Sequence, residues 1–281
     1  MTGDRRLDAR LGELEERFRR LGSVLVAFSG GADSAFVLAA AVKALGVDQV
    51  AAATAVSPSL PAHELDAARE LAADLGVRHV TPATDELSRS GYRANAGDRC
   101  YFCKAELLDV LLPLAAELGL RHVATGTNAD DAVAGFRPGI RAALERGAVS
   151  PLRDVGMSKS EVRRASRAWG LRTWDKPAAA CLSSRIAYGV EVTPARLARV
   201  ERAEVSLRAA LRGAGIEVRD LRVRDLGDRA RIELDSDLVA TVIAREDVLA
   251  SVAGFDVVEV DPRGFRSGSM NELLPDPAPY R

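Results

Sequence analysis

The feature that most constrains the fold is a short apolar run that ends in a glycine turn and leads directly into a helix pattern. The run covers residues 24–28, and the turn reads Ser29-Gly30-Gly31-Ala32-Asp33-Ser34. Glycine lets other groups approach the main chain closely, and the first N–H groups of a helix stabilise an anion. The two serines add hydroxyl groups, and Asp33 suits the Mg²⁺ that accompanies a nucleotide. We therefore predict a phosphate-binding turn, although the lysine of a GxxxxGK[ST] loop is missing.

Apolar strand patterns alternate with helix patterns as far as about residue 170, which is typical of a parallel sheet covered by helices. Ligands of such sheets bind at the carboxyl ends of the strands. The strand expected at 121–125 is followed by Gly126-Thr127-Asn128-Ala129-Asp130-Asp131. We therefore expect Gly126 and Asp130 to join the nucleotide site. Asp130 and Asp131 either bind Mg²⁺ or order a loop, or they are ordinary acidic residues at a helix N-terminus.

The pattern changes after residue 175. Residues 178–190 show no periodicity and indicate a linker loop. Beyond this loop the sequence predicts a helix, two strands joined by Gly227-Asp228, a helix over 239–252 and a last strand over 255–260. This order predicts a small α+β domain with an antiparallel sheet. We expect an α/β domain over 1–177, a linker over 178–190 and an α+β domain over 191–281.

Three cysteines give an odd number, which argues against a framework of disulfides. Cys100 and Cys103 begin a predicted helix and share one of its faces, where the helix N-terminus favours the thiolate. Cys181 lies in the linker loop. Three thiolates suit three irons of a 4Fe–4S cluster, or zinc with a fourth ligand, or they are simply buried free cysteines. The residues alone favour a function over buried free cysteines.

Charge and hydropathy exclude several classes of protein. The formal net charge of −1 gives no electrostatic reason to expect nucleic acid binding. No apolar run approaches the ~20 residues of a membrane span, and the N-terminus lacks the apolar core of a signal peptide. We therefore expect a cytoplasmic protein with neither a membrane nor a nucleic acid as partner. Arg222 and Arg224 alternate on one predicted strand and so face one side. Together with Arg185 they suit a phosphate or a carboxylate.

Taken together, the motifs resemble the LarE family within the PP-loop ATP pyrophosphatases. The turn at Ser29 matches the SGGxDS loop that the superfamily shares with GMP, NAD and asparagine synthetases and with tRNA-thiolating enzymes. The narrower resemblance is spread over most of the chain and consists of Gly126-Thr127-Asn128-Ala129-Asp130-Asp131, Arg137-Pro138-Gly139, Ser150-Pro151-Leu152, Lys176-Pro177, Ala180-Cys181-Leu182-Ser183-Ser184-Arg185, Tyr188-Gly189, Arg222-Val223-Arg224 and Arg266-Ser267-Gly268-Ser269-Met270-Asn271.

The resemblance implies a parallel-sheet ATP pyrophosphatase domain, of the adenine nucleotide alpha hydrolase-like type, with a smaller α+β domain. It implies an ATP- and Mg²⁺-dependent sulfur transferase that adenylates pyridinium-3,5-biscarboxylic acid mononucleotide and converts its carboxylates to thiocarboxylates for the nickel-pincer cofactor of lactate racemase. Cys181 matches the family's catalytic cysteine, which in some members gives up its own sulfur.

Other members carry three cysteines that bind a 4Fe–4S cluster, as Cys100, Cys103 and Cys181 would do here. The resemblance assigns Arg185, Arg222 and Arg224 to the substrate. It also implies a homo-oligomer and a possible handover of product to a nickel-inserting maturation protein. Two alternatives share the turn at Ser29: a tRNA-thiolating enzyme and an ammonia-dependent amide-forming synthetase.

Overall fold

The structure, a computed structural model, describes residues 4–133, 137–177 and 180–274. These residues form two units, of which the first contains 4–86 and 100–177 and the second contains 87–99 and 180–274. The segment Leu87–Arg99 therefore packs with the second unit, although the chain on both sides of it belongs to the first. The sequence-based domain boundaries stay a prediction. Residues 178–179 of the expected linker and 275–281 of the expected C-terminal domain lie outside the described residues.

The first unit is built on a four-stranded parallel sheet, which confirms the expected α/β class. Val24 pairs in parallel with Val50 on one side and with His122 on the other, so these three neighbouring strands end at the same side of the sheet. Such strands are buried on both faces, which explains their continuous apolar sequences. The sheet has the order β3-β2-β1-β4 and consists of β1 (Val24–Ala27), β2 (Val50–Ala53), β3 (Arg78–Val80) and β4 (His122–Ala124).

The helices follow the apolar periodicity of the sequence. Leu7, Leu14 and Phe18 are buried on one face of the first helix, whose N-terminus is capped by the side chain of Asp4. Numbered along the chain, the helices are α1 (Arg5–Leu21), α2 (Ala32–Leu45), α3 (Ala62–Asp74), α4 (Ser90–Arg93), α5 (Arg99–Glu117), α6 (Ala129–Val133), α7 (Pro138–Glu145), α8 (Pro151–Asp154), α9 (Lys159–Ala168), α10 (Pro194–Gly213), α11 (Val239–Ile243) and α12 (Glu246–Leu249).

The second unit contains a three-stranded sheet of β5 (Leu221–Asp225), β6 (Arg229–Leu234) and β7 (Val257–Val260). The hairpin between β5 and β6 forms as predicted, with Gly227 at a φ of 109°. The expectation of an antiparallel sheet is wrong for β7, which pairs parallel to β6 because α11 and α12 carry the chain back across the sheet before it begins.

The prediction of a single helix over 239–252 is also wrong. It is divided into α11 and α12, because Arg245 leaves the helical conformation between them with a φ of −112° and a ψ of 80°.

Among the described helices, none combines the length and the apolar character that crossing a membrane requires.

Candidate functional site

A cavity of about 400 Å³ lies at the carboxyl ends of β1, β2 and β4 in the first unit. Its wall contains residues that directly follow these strands, among them Phe28 and Ser29 after β1, Thr54 after β2 and Gly126 after β4. This edge is where parallel sheets bind their ligands, and the volume falls in the range of small-molecule and cofactor sites. The sheet therefore brings both glycine-containing segments that the sequence singles out to one cavity.

The turn between β1 and α2 holds its shape through its two serines. Ser34 Oγ donates to the carbonyl of Gly31 at 3.1 Å and lies 3.1 Å from Ser29 Oγ. Gly30 adopts a φ of 70°, a left-handed conformation that favours glycine. Helix α2 begins at Ala32 without a side-chain cap, so its first N–H groups face the cavity as donors for an anion.

Gly126 is required for the close approach of two backbones. A Cβ atom at this position would lie 2.9 Å from the backbone nitrogen of Ser34 and 3.1 Å from its Cα. Neither of these atoms belongs to a flexible side chain that is able to move aside. The chain leaving β4 therefore crosses the first turn of α2 at a distance that only glycine permits.

Three lysines from distant parts of the chain supply positive charge to the cavity wall: Lys104, Lys159 and Lys176. Lys159 Nζ lies 2.8 Å from Asp33 Oδ2. Lys176 Nζ donates to the carbonyl of Gly30 at 3.1 Å and pairs with Glu64 at 2.6 Å. Burial lowers the pKa of Lys104. The lysine that the glycine turn itself lacks is thus replaced by side chains from α5, from α9 and from the segment that precedes Pro177.

One carboxylate oxygen of Asp33 is available to a ligand. Its Oδ2 atom pairs with Lys159, whereas its Oδ1 atom is buried and has no hydrogen-bond partner among the described residues. A buried carboxylate oxygen without a partner is unfavourable unless a ligand or cation completes it. Carboxylate oxygens are the ligands that Mg²⁺ prefers. Asp33 therefore fits the magnesium ion of a bound nucleotide.

Asp130 and Asp131, which follow β4, bond to backbone groups at the starts of helices. Asp130 Oδ2 accepts from the backbone N–H of Lys159 at 2.8 Å, at the start of α9. Asp131 and Asn128 exchange side-chain bonds with each other's backbone at 3.3 and 3.1 Å, and Asp131 also pairs with Arg137 at 3.3 Å. These contacts order the chain that follows β4, and the assignment of Asp130 to the nucleotide site stays a prediction. Through its bond to Lys159, Asp130 fixes the helix that carries this lysine.

The cysteines are free thiols. Cys100 is exposed and Cys103 is half-buried, and both lie within the first five residues of α5, near the helix start that the sequence predicts. Among the described residues, no group of three His, Cys, Asp or Glu side chains is placed to hold a metal ion. The described arrangement therefore presents no ready ligand set for a 4Fe–4S cluster or for zinc.

Cys181 stands at the head of a 3₁₀ turn, Leu182–Arg185, within what we call the Cys181 loop, residues 181–190. Its sulfur lies 2.9 Å from Ser183 Oγ. Arg185 stabilises this turn, because its Nη1 atom donates to the carbonyl of Cys181 at 3.1 Å. The same guanidinium makes a buried two-point contact with Glu204, at 2.9 and 3.2 Å. Arg185 therefore supports the loop that presents the thiol.

Arg222 and Arg224 lie on β5 and are buried, with 7% and 6% of their surfaces exposed. Arg224 pairs with Glu233 at 2.6 Å, and Glu233 also accepts from Ser269 Oγ at 2.8 Å. Burial and the neighbouring cation Arg185 lower the pKa of Arg222 to about 10. Two of the three guanidinium groups are paired with buried carboxylates, Arg185 with Glu204 and Arg224 with Glu233. Guanidinium groups in such a cluster suit a phosphate or a carboxylate.

Sequence reasoning missed part of this arrangement. It named no lysine as a site residue, because Lys104, Lys159 and Lys176 are separated from the glycine turn by long stretches of chain. Lys176 appeared only as part of a motif. Glu204 and Glu233 are identified as arginine partners only by their contacts. The one available signal was the missing lysine in the turn itself, which implies that another segment supplies the charge.

Comparison with known proteins supports a nucleotide site at the cavity beside the glycine turn. The sequence model of the family described as NAD synthase matches residues 13–96, which contain the glycine turn. An uncharacterized protein of Synechocystis sp. is 42% identical over 95% of this chain and 99% of its own length. The pyridinium-3,5-bisthiocarboxylic acid mononucleotide synthase of Lactiplantibacillus plantarum is 35% identical over 90% of this chain and 91% of its own length.

An uncharacterized protein of Methanocaldococcus jannaschii is 25% identical over 90% of this chain. The similarity to the Lactiplantibacillus enzyme covers 90% of this chain and therefore spans both units. The chain therefore belongs to the LarE family of ATP-dependent sulfur transferases, within the PP-loop ATP pyrophosphatases.

Proposed function

We propose that this protein uses ATP to convert the carboxylates of pyridinium-3,5-biscarboxylic acid mononucleotide to thiocarboxylates, as a step in making the nickel-pincer cofactor. The observation that carries the proposal is the 35% identity to the Lactiplantibacillus synthase over almost the full length of both chains. The lysine-lined cavity beside the glycine turn supports the ATP-dependent half of the reaction. The thiol of Cys181 supports the sulfur-dependent half.

In the first step a substrate carboxylate oxygen attacks the α-phosphorus of ATP, the bond to the β-phosphate oxygen breaks, and pyrophosphate leaves. The N-terminus of α2 and the ammonium groups of Lys159 and Lys176 stabilise the charge on the departing pyrophosphate. Asp33 holds the Mg²⁺ that neutralises the phosphates when it is bound. The product is an acyl-adenylate, in which AMP is a good leaving group.

Where Cys181 is itself the sulfur donor, its thiolate attacks the acyl carbon and AMP leaves, which gives a thioester. Removal of the Cys181 α-proton then breaks the Cβ–S bond. The sulfur stays on the substrate as a thiocarboxylate, and the cysteine becomes dehydroalanine. Every atom and electron pair in this route is supplied by ATP, the substrate and the protein.

A 4Fe–4S cluster held by Cys100, Cys103 and Cys181 remains the other proposal for the sulfur source, and it is based on the family resemblance. Iron and sulfide analysis of anaerobically purified protein tests it, with a Cys100→Ser, Cys103→Ser double variant for comparison. The cluster route requires iron in the wild type and its loss from the double variant. Iron retained by the double variant, or loss of one H₂S from Cys181 after turnover of iron-free protein, contradicts it.

The arginines of the second unit are proposed to hold the substrate phosphate. Arg222 and Arg224 come from one strand, and Arg185 comes from the Cys181 loop. All three arginines are buried, and guanidinium groups suit the recognition of a phosphate. The substrate would thus be recognised through its phosphate by the same unit that carries Cys181.

The test of the function measures pyrophosphate release and thiocarboxylate formation with the purified biscarboxylate mononucleotide. We expect the wild type to release pyrophosphate only when the acid is present and to form the thiocarboxylate, seen by mass spectrometry. A Cys181→Ala variant should keep pyrophosphate release and lose the thiocarboxylate. The proposal is wrong if the acid triggers no pyrophosphate release, or if release depends instead on tRNA or leads to an amide when ammonia is supplied.

We further propose a cytoplasmic location, a homo-oligomer and transfer of the product to a maturation protein. A cytoplasmic location is supported by the three free thiols, which reducing compartments preserve. A homo-oligomer and handover of the product to a nickel-inserting maturation protein are supported by the family resemblance.

A further inference from the structure

The segment Leu87–Arg99 is an insertion from the first unit's part of the chain into the second unit. Its last residue, Arg99, directly precedes Cys100 in the sequence. Within the second unit, this segment contacts the Cys181 loop through the side chains of Asn95 and Arg99. These contacts join residues more than 80 positions apart, so neither partner is placed by its own local sequence.

Asn95 is fully buried and adopts a φ of 52°, a left-handed conformation that asparagine tolerates better than most residues. Its amide nitrogen donates to the carbonyls of Ala187 and Val190, each at 2.8 Å. Its own backbone carbonyl accepts from the N–H of Gly189 at 3.1 Å. Asn95 therefore fixes the second half of the Cys181 loop through both its side chain and its main chain.

Arg99 fixes the first half of the loop. Only 4% of its surface is exposed, and its Nη1 atom donates to the carbonyl of Ser183 at 2.9 Å. The same nitrogen donates to Asn95 Oδ1, which also orients the Asn95 amide. The guanidinium carbon lies 5.4 Å from the ring centre of Tyr188, over its face. One buried nitrogen thus links Asn95 to the turn that carries the thiol.

Ser183 connects this linkage to the sulfur. Its carbonyl accepts from Arg99, and its hydroxyl lies 2.9 Å from Cys181 Sγ. Because both groups belong to one fully buried residue, a shift of the carbonyl moves the hydroxyl and the neighbouring sulfur as well. The contacts form a continuous path from Asn95 through Arg99 and Ser183 to the sulfur of Cys181.

Burying a guanidinium group costs desolvation free energy, whereas packing apolar side chains against the loop would not have this cost. The advantage of the guanidinium is that its hydrogen bonds are directional. They fix the orientation of a carbonyl group, whereas apolar contacts leave the carbonyl free to tilt. Such precision matters where a reacting atom must be placed, since a misplacement of about 1 Å lowers a rate about 100-fold.

We propose that Asn95 and Arg99 are positioning residues for the sulfur step, which hold the Cys181 loop so that the thiol meets the activated carboxylate. The inference rests on the proposed function, and it applies whether Cys181 donates its own sulfur or ligates a cluster. The contacts given above tie both side chains to the Cys181 loop and to each other, so we expect their loss to affect the sulfur step more than adenylation.

The test compares Arg99→Met, Arg99→Lys and Asn95→Gly with the wild type and with a control, Arg93→Met. Arg93 lies in the same segment, but its side chain donates to the carbonyls of Leu87 and Ser88 and pairs at 3.9 Å with the exposed Glu191, which follows the Cys181 loop rather than belonging to it. Lysine is the conservative replacement because one ammonium, like the single Nη1 atom, is able to donate to both acceptors. Glycine at position 95 keeps the left-handed backbone and removes only the amide.

Two rates are measured for each variant, acid-dependent pyrophosphate release and thiocarboxylate formation, with hydrogen exchange of peptides from 182–190. Arg99→Met and Asn95→Gly should lose 10- to 100-fold in thiocarboxylate formation, keep pyrophosphate release within twofold, and exchange at least 10-fold faster in these peptides. Arg99→Lys should restore thiocarboxylate formation to within about fivefold of wild type, and Arg93→Met should leave both rates unchanged.

Equal losses of both rates, or wild-type thiocarboxylate formation in both Arg99→Met and Asn95→Gly, would overturn the positioning role. If Arg99→Met fails to fold, Asn95→Gly decides alone. Failure of the proposed function is distinguished by the wild type itself, which would then release no acid-dependent pyrophosphate. The hydrogen-exchange comparison still reports whether the two residues hold the loop.

Discussion

At the scale of single residues, the charge of the nucleotide cavity comes from outside the glycine turn. Lys159 pairs with Asp33, and Lys176 bonds to the carbonyl of Gly30. Both lysines therefore contact the turn without belonging to it. In this state Lys159 is held by a carboxylate that also has an oxygen for magnesium. A Mg²⁺ ion held by Asp33 would offset the charge of this carboxylate, and the Lys159 ammonium would then be available to a phosphate oxygen.

Replacing Lys159 with methionine should slow adenylation. Methionine keeps the length of the side chain but removes the cation that faces the departing pyrophosphate, and loss of one such group costs about 100-fold or more in rate. Acid-dependent pyrophosphate release measures the effect. Lys43→Met is the matched control, because the Lys43 ammonium lies over the Trp169 ring at 4.6 Å rather than in the cavity. A Lys159→Met enzyme as fast as the control would contradict this role.

Replacing Gly126 with alanine should abolish ATP binding or weaken it at least 10-fold. The added Cβ would lie 2.9 Å from the backbone nitrogen of Ser34, so the first turn of α2 would have to move. Isothermal titration with ATP measures the loss. Gly12→Ala is the control, because no atom lies within 4 Å of a Cβ at that helical position. It should leave ATP binding intact and stabilise the protein by about 0.5–1 kcal/mol. Equal ATP affinity in the two variants would contradict the expectation.

At the scale of elements, β5 and α10 are joined by charged groups rather than by apolar packing alone. Asp225, at the end of β5, is fully buried and accepts from Arg196 at 2.8 Å and Arg199 at 2.5 Å, both on α10. It also accepts from the backbone N–H of Gly227 at 2.9 Å, which shapes the hairpin to β6. One carboxylate therefore fixes a helix, a strand end and a turn.

An Asp225→Asn substitution should destabilise the protein by about 3 kcal/mol, because it leaves two arginines without their shared counter-charge. Urea unfolding followed by circular dichroism measures the change. Asp228→Asn, in the exposed part of the same hairpin, should change stability by no more than about 0.5 kcal/mol. If the Asp225 variant unfolded at the same urea concentration as the Asp228 variant, the carboxylate would not have this role.

At the scale of the whole molecule, each unit depends on contacts between residues far apart in sequence. In the first unit, Glu64 on α3 pairs at 2.6 Å with Lys176, which lies 112 residues further along the chain. Burial alone would raise the pKa of Glu64. Hydrogen bonds with His63 and Lys176 outweigh burial and lower its pKa to about 2. The ion pair thus links α3, the glycine turn and the end of the unit's chain.

This lowered pKa predicts how stability depends on pH. A carboxyl whose pKa falls from 4.5 to about 2 on folding stabilises the folded state above pH 4.5. That stabilisation is lost as the pH falls from 4.5 towards 2. Thermal unfolding of Glu64→Gln should therefore show a lower midpoint than wild type at pH 7, with a difference that shrinks through this window. Glu70→Gln, an exposed residue of α3, is the control and should follow the wild type at every pH. A constant difference between Glu64→Gln and wild type from pH 7 to pH 2 would contradict the prediction.

Features that depend on neighbouring residues are predictable from the sequence. Apolar strands alternating with helix patterns predict the parallel sheet, residues 29–34 predict the glycine turn between β1 and α2, and Gly227-Asp228 predicts a hairpin, because each pattern acts over a few residues. Which distant residues meet became visible in the folded chain alone. The tertiary structure brought Lys159 and Lys176 to the glycine turn, made β7 parallel to β6, and joined Asn95 and Arg99 to the Cys181 loop. These contacts depend on the tertiary arrangement of the whole chain, which a local periodicity does not predict.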